Sequence, residues 1–434
     1  MIKVIATGDA LFCAPFPPEY GKLRAPLDAF LSEGDVRITN LETNLSDFGS
    51  FPNQYSGGTW LNTRKELFPA LASFGFHFYG TANNHAMDYS HAGLISTLRT
   101  LDENGVAHAG SGKDLAAAEA PAILRLAGGK TAAIFAVDAS MERPSMAGSA
   151  SRIFAGRPGV NYLRHEDLVP VSEREMAELK AIAETTGLNA YRDAEIAAGY
   201  QQPDPEGVFV FGSTAFTTDA TAPRSKCNAK DLARLCGNIE RAKRENDLVF
   251  ILVHCHDEEG TDETDPPAYL KEFCRAAIDA GAHAVFGGGV HILRGLELYR
   301  GKPIFYSLGD FIYQGPLVEY LPPDFMEKYG LDANASAKEA LWVRSKGGKV
   351  GLSTNEKNYL SVVPKLCFDD AGELTDLSMM PIRLTFMTGD EAADGLPYFA
   401  VGEEGERVFK RFRAACSKLG TELIYADGTI KVRN

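Results

Sequence analysis

The chain has 434 residues, 45% apolar and 24% charged, with a formal net charge of -14. That length can bury a large core in two or three domains or one elaborated domain, and the ordinary composition excludes a disordered or fibrous chain. The diffuse negative field disfavours nucleic acid and anionic membranes as partners, so an anionic substrate requires a locally positive site.

The N-terminus enters an apolar run, Lys3 to Ala6, and then Thr7-Gly8-Asp9. It carries no signal-peptide pattern, and a cytoplasmic location is expected. No apolar run reaches the roughly eighteen residues of a membrane-spanning helix. Seven cysteines (Cys13, Cys227, Cys236, Cys255, Cys274, Cys367, Cys416) lack CxxC spacing and read as reduced thiols. Phe74, Phe76 and Phe78 alternate as a strand into Asn84-His85, and Leu94, Leu98 and Leu101 recur at helical spacing up to Gly105. Thr131 to Val137 reads as a further strand. Residues 140–230, rich in Pro, Gly, Ser and Arg, read as an insertion with one helix near Ser172 to Thr186. Leu248 to Val253 is apolar enough to be buried on both faces before His254. Pro266-Pro267 opens a helix with Leu270, Phe273 and Ala277 inward and Gly281 at its end. Ala284 to Phe286 then runs into Gly287 to Gly289, and Pro303 to Tyr306 into Ser307 to Asp310. Beyond Gly351 come short alternating strands, a helix from Glu404 to Leu419 and a hairpin at Asp427-Gly428. Strands alternating with amphipathic stretches predict an α/β fold, with a core over 1–314 and an α+β cap over 315–434 packing on it.

Asp9, Glu42, Asn84, His85, His254 and His291 come from five segments, each just past a predicted strand. Taken alone, each also fits a turn, a helix cap or a satisfied core residue. Together they matter, because strand carboxyl ends converge on one rim of an open α/β sheet. Carboxylate, amide and imidazole side chains suit manganese, zinc or iron, as one ion or two.

The segments Thr7-Gly8-Asp9, Asn40-Leu41-Glu42, Ala82 to Tyr89, Val253-His254 and Gly287 to Phe311 resemble the CapA family, associated with poly-gamma-glutamate capsule synthesis. Gly156 to Asn161, inside the insertion, resembles a subgroup of it. The resemblance implies a calcineurin-like metallophosphatase fold, a four-layer sandwich of two β-sheets flanked by helices. It also implies that Asp9 binds a first metal, that Glu42 bridges, that Asn84 and His254 bind a second, and that His85 faces the substrate. The family's last motif offers two histidines. Here only the second is present, as His291, and Gly289 stands at the first, so the second metal site is expected to be weakened. His256, two residues beyond His254 on the same strand face, and an acidic residue among Asp257, Glu258 and Glu259 are the alternative ligands, although those acids also read as a solvated loop. Val290 and Asp310 replace the usual Pro and Asn.

Three functions are compatible with these residues. The first is metal-assisted hydrolysis of a phosphoester or of an amide, as in poly-gamma-glutamate, with His85 protonating the leaving group and Arg157, Arg164 and Asp310 meeting a peptide or polyglutamate-like substrate. The second is peptide epimerisation, with Asp9 and His291 as opposed acid and base and one metal or none. The third is polymer binding without catalysis. Oligomeric state is not legible in these residues.

Overall fold

The computed structural model describes residues 1–433. Two sheets dominate a mixed α/β fold. The larger has ten strands. Ile2–Leu11 lies near its middle, paired in parallel with Val36–Leu41 and antiparallel with Leu360–Phe368. The smaller has six and is centred on Leu248–Cys255, which runs parallel to both Thr131–Asp138 and Ala284–Gly289.

Strand alternation explains the layering. In Leu248–Cys255 the even residues Leu248, Phe250 and Leu252 join a core shared by both sheets, together with Val4, Ala6, Ile38 and Phe78. The odd residues Val249, Ile251 and Val253 pack outward on the helices Ala229–Glu245 and Ala268–Asp279. On the opposite side of the larger sheet, Ile5, Leu41 and Tyr79 meet the helix Tyr20–Leu31 and a cluster of phenylalanines. The strand with both faces buried is thus the near-continuous apolar run expected from the sequence.

Three expectations are modified. Of the three alternating phenylalanines only Phe78 lies in a strand, Phe78–Gly80. Phe74 and Phe76 sit before it, around a turn at Gly75 with φ +73°, and pack against Phe311. The residues beyond Gln314 do more than cap the sheet: Leu360–Phe368 and Leu374–Leu384 are part of it. The insertion folds on itself, with the helix Glu173–Thr186 started by a Ser172–Glu175 capping box and a hairpin of Val208–Phe211 with Thr214–Thr217. Among the described residues no helix is long and apolar enough to cross a membrane.

Candidate functional site

Alternation decides which side chains meet at the carboxyl ends of the strands. Asn40 and Glu42 continue the inward parity of Val36 and Ile38, and His254 and His256 continue that of Leu252. Asp9 breaks the parity of Val4 and Ala6. The register with Val36–Leu41 shifts between Ala6 and Asp9, and this irregularity turns Asp9 inward while Ala10 faces the opposite core. Gly8 is required beside it, because a Cβ there would overlap the Gly309 carbonyl.

Glu42 sits at the centre, fully buried, and neither carboxylate oxygen has a hydrogen-bond partner. Around its Oε1 stand His254 Nε2 at 3.5 Å, His256 Nε2 at 3.7 Å and His85 Nε2 at 4.0 Å. His254 Nε2 also lies 2.8 Å from Asn84 Oδ1 and 3.1 Å from His256 Nε2. Asp9 is firmly held, with Oδ1 accepting from Asn40 Nδ2 at 2.7 Å and Oδ2 from the Gly289 N–H at 2.6 Å. His291, at φ 58°, turns its Nδ1 to Asp310 at 3.0 Å.

The electrostatics follow from crowding. Burial, and then the carboxylates of Asp9, Asp310, Asp138 and Asp88, hold the Glu42 carboxyl well above its ordinary range. Burial also opposes ionisation of Asp9, but His254, the Gly289 N–H and His291 outweigh it and keep that carboxyl low. Desolvation pushes the Asp138 carboxyl up to about 6. For His256, burial and the neighbouring imidazoles and Arg294 favour the neutral ring. A buried carboxyl group without a hydrogen-bond partner, faced by three imidazole side chains, is a donor set of the kind that suits a cation. Two groups have ligand atoms within 4.8 Å of one another: Glu42 with His254 and His256, and Glu42 with His291 and Asp310. No metal identity follows from them.

The local backbone accounts for a glycine at position 289. It adopts φ +109°, and a Cβ there would lie 2.6 to 2.8 Å from the backbone of Cys255, so no side chain fits. His256 stands beside both remaining histidines, its ring 5.0 Å from that of His254 and 5.2 Å from that of His291.

His85 and His291 also form the floor of a cleft of about 340 Å³. Asp88 orients His85, accepting at 2.7 Å from Nδ1 while also taking the N–H groups of Gly57 and Leu61. The opposite wall comes from residues 315–352, including the helix Ala337–Arg344. The two arginines expected at the substrate are engaged elsewhere: Arg157 is exposed and donates to the Met146 carbonyl, and Arg164 forms a bidentate pair with Asp231. The sequence reading passed over Asn40, Asp88 and Asp138. Asn40 lies two residues before Glu42, Asp88 three after His85, and Asp138 ends a predicted strand, so each carried the same placement signal as the residues chosen.

The family described as Bacterial capsule synthesis protein PGA_cap matches residues 3–315. The protein y4sH of Sinorhizobium fredii is 30% identical over 434 residues, covering 98% of this chain and 91% of the relative. The Probable polyglutamine synthesis accessory protein MT0602 of Mycobacterium tuberculosis is 25% identical, over 65% of this chain and 57% of its own. The PGA biosynthesis protein CapA of Bacillus subtilis is 23% identical, over 58% and 47% respectively. The match spans every rim residue from Asp9 to Asp310, and the chain belongs to the PGA_cap family of bacterial capsule synthesis proteins.

Proposed function

We propose that the protein is a metal-dependent hydrolase that cleaves an amide bond in a peptide-like substrate. The observation that carries this reading is Glu42, a buried carboxylate with no hydrogen-bond partner for either oxygen, faced by three imidazoles. Two sheets sharing one core, with helices outside, support the calcineurin-like four-layer sandwich as the scaffold. Amide polymers are suggested by relatives named for polyglutamine synthesis and PGA biosynthesis.

Asp9, Glu42, Asn84, His254, His256 and His291 are the residues that would hold one or two ions of manganese, zinc or iron, with Asp310 behind His291. When bound, such an ion lowers the pKa of water and offsets negative charge developing in the transition state. His85 then delivers a proton to the leaving nitrogen from Nε2, with Asp88 fixing the ring through Nδ1. His291 is oriented in the same way by Asp310. Asp9 suits a ligand better than an α-proton base, because both its oxygens already accept hydrogen bonds.

Metal content tests the reading. After manganese loading the wild-type chain should retain at least one ion, and Glu42→Gln should weaken that affinity by more than about a hundredfold. The metal-free variant should be no less stable than the metal-free wild type, since it exchanges an unpartnered carboxyl for a neutral amide. A folded wild-type chain holding less than about half an ion would sink the proposal.

A further inference from the structure

The cleft wall facing His85 and His291 is built largely by residues beyond the stretch that the family matches. Its charged groups are few. Lys338 pairs with Glu391 at 2.7 Å, and Asp394 accepts from the N–H and hydroxyl of Thr388. Arg344, at the end of the Ala337–Arg344 helix, differs: among the described residues no carboxylate pairs with it, and its guanidinium donates to the Thr59 hydroxyl on the other side of the cleft. Arg344, Tyr313 and His291 line the same cleft, and the Tyr313 ring is 5.9 Å from that of His291. A guanidinium without a carboxylate partner therefore lines the same cleft as His85 and His291.

Arg344 is an exposed residue of the cleft lining, and its planar fork of N–H donors matches a carboxylate. The surroundings limit how many carboxylates can enter. Leu341, Val350 and Leu352 carry no hydrogen-bonding side chain and Trp342 only an indole N–H, so this part of the wall suits an apolar or aromatic side chain better than a row of glutamates, with Lys338, Ser345 and Ser353 as the polar groups beside it. We propose that Arg344 binds the terminal carboxylate of a peptide-like substrate whose last side chain is apolar or aromatic and packs on Trp342 and Leu341. The substrate class rests on the hydrolase reading and narrows it: the cleft receives a chain end rather than the interior of a polyanion.

The test uses two ligands of one shape, 3-phenylpropionate and 3-phenylpropionamide, with glutarate as a diacid. Each is titrated calorimetrically into the full chain, manganese-loaded and chelator-treated. The acid should bind about tenfold tighter than the amide in both states. Arg344→Gln should erase this preference, and Arg344→Lys should keep part of it. Three results would overturn the proposal: equal binding of acid and amide, a preference that survives Arg344→Gln, or one that disappears on chelation because the carboxylate sits on the ion. Tighter binding of glutarate than of 3-phenylpropionate would do so too. An Arg344-dependent preference in a chain that binds no manganese would remove the hydrolase reading and leave this site standing.

Discussion

Two buried histidines at opposite ends of the six-stranded sheet make an instructive pair. His283 precedes Ala284–Gly289, is 4% exposed, and accepts the Val249 N–H on Nδ1 at 2.9 Å. Burial and the cations of Lys243 and Lys302 keep its ring neutral, with a pKa lowered to about 3. His254, at the far end of Leu248–Cys255, is 3% exposed, and its surroundings are the reverse: Asp9 and Glu42 lie within 3.5 Å of its ring nitrogens, and Glu42 is left without a hydrogen bond. Residue type and burial are the same. What separates the two ends is whether the polar neighbours are satisfied, and the unpartnered Glu42 carboxyl beside His254 marks the candidate site.

The comparison breaks most visibly at Gly289. If the metal end had lost a ligand, Gly289→His should restore it. The geometry predicts instead a loss of roughly 3 kcal/mol or more with no gain in bound manganese, from overlap with Cys255 and strain at positive φ. Urea unfolding and metal content measure both, and tighter metal binding at unchanged stability would show that the Cys255 backbone yields. The satisfied end is probed by acid. Because the folded-state pKa of His283 is depressed, its contribution to stability is fully present above the unfolded value near 6.5. It is lost as pH falls towards about 3, by a few kcal/mol at most. His283→Asn, which keeps an acceptor for Val249, should flatten that part of the pH profile, and parallel profiles for the two proteins would refute the assignment. The smallest effect belongs to neither end. Ser172→Ala removes the capping box of an insertion helix, should lower stability by about 1 kcal/mol, and should leave metal affinity unchanged.

Much of the site was legible in the sequence, because the inward parity of Leu252 carries on to His254 and His256 and that of Ile38 to Glu42. Asp9 required the irregularity between Ala6 and Asp9, which no hydropathy pattern reveals. The lack of room for a side chain at Gly289 depends on the register pairing Cys255 with Gly289 across two strands. Arg157 and Arg164 drew attention by lying in an insertion of loops. Whether a guanidinium is free depends on partners remote in sequence: Asp231 takes Arg164, while the Thr59 hydroxyl meets Arg344. The joining of Leu360–Phe368 to the first strand was hidden for the same reason.

That last pairing has a consequence for how the chain is made. Ile2 pairs with Phe368 and Ile5 with Lys365, so Ile2–Leu11 waits for the much later Leu360–Phe368 to complete its hydrogen-bond ladder. Loop closure over such a separation is slow, and an open strand edge invites intermolecular pairing in the meantime. A fragment cut where the family match ends, at residue 315, would keep Asp9, Glu42, His254 and His291 yet leave that edge bare. The stretch that the family model matches is therefore smaller than the unit that folds.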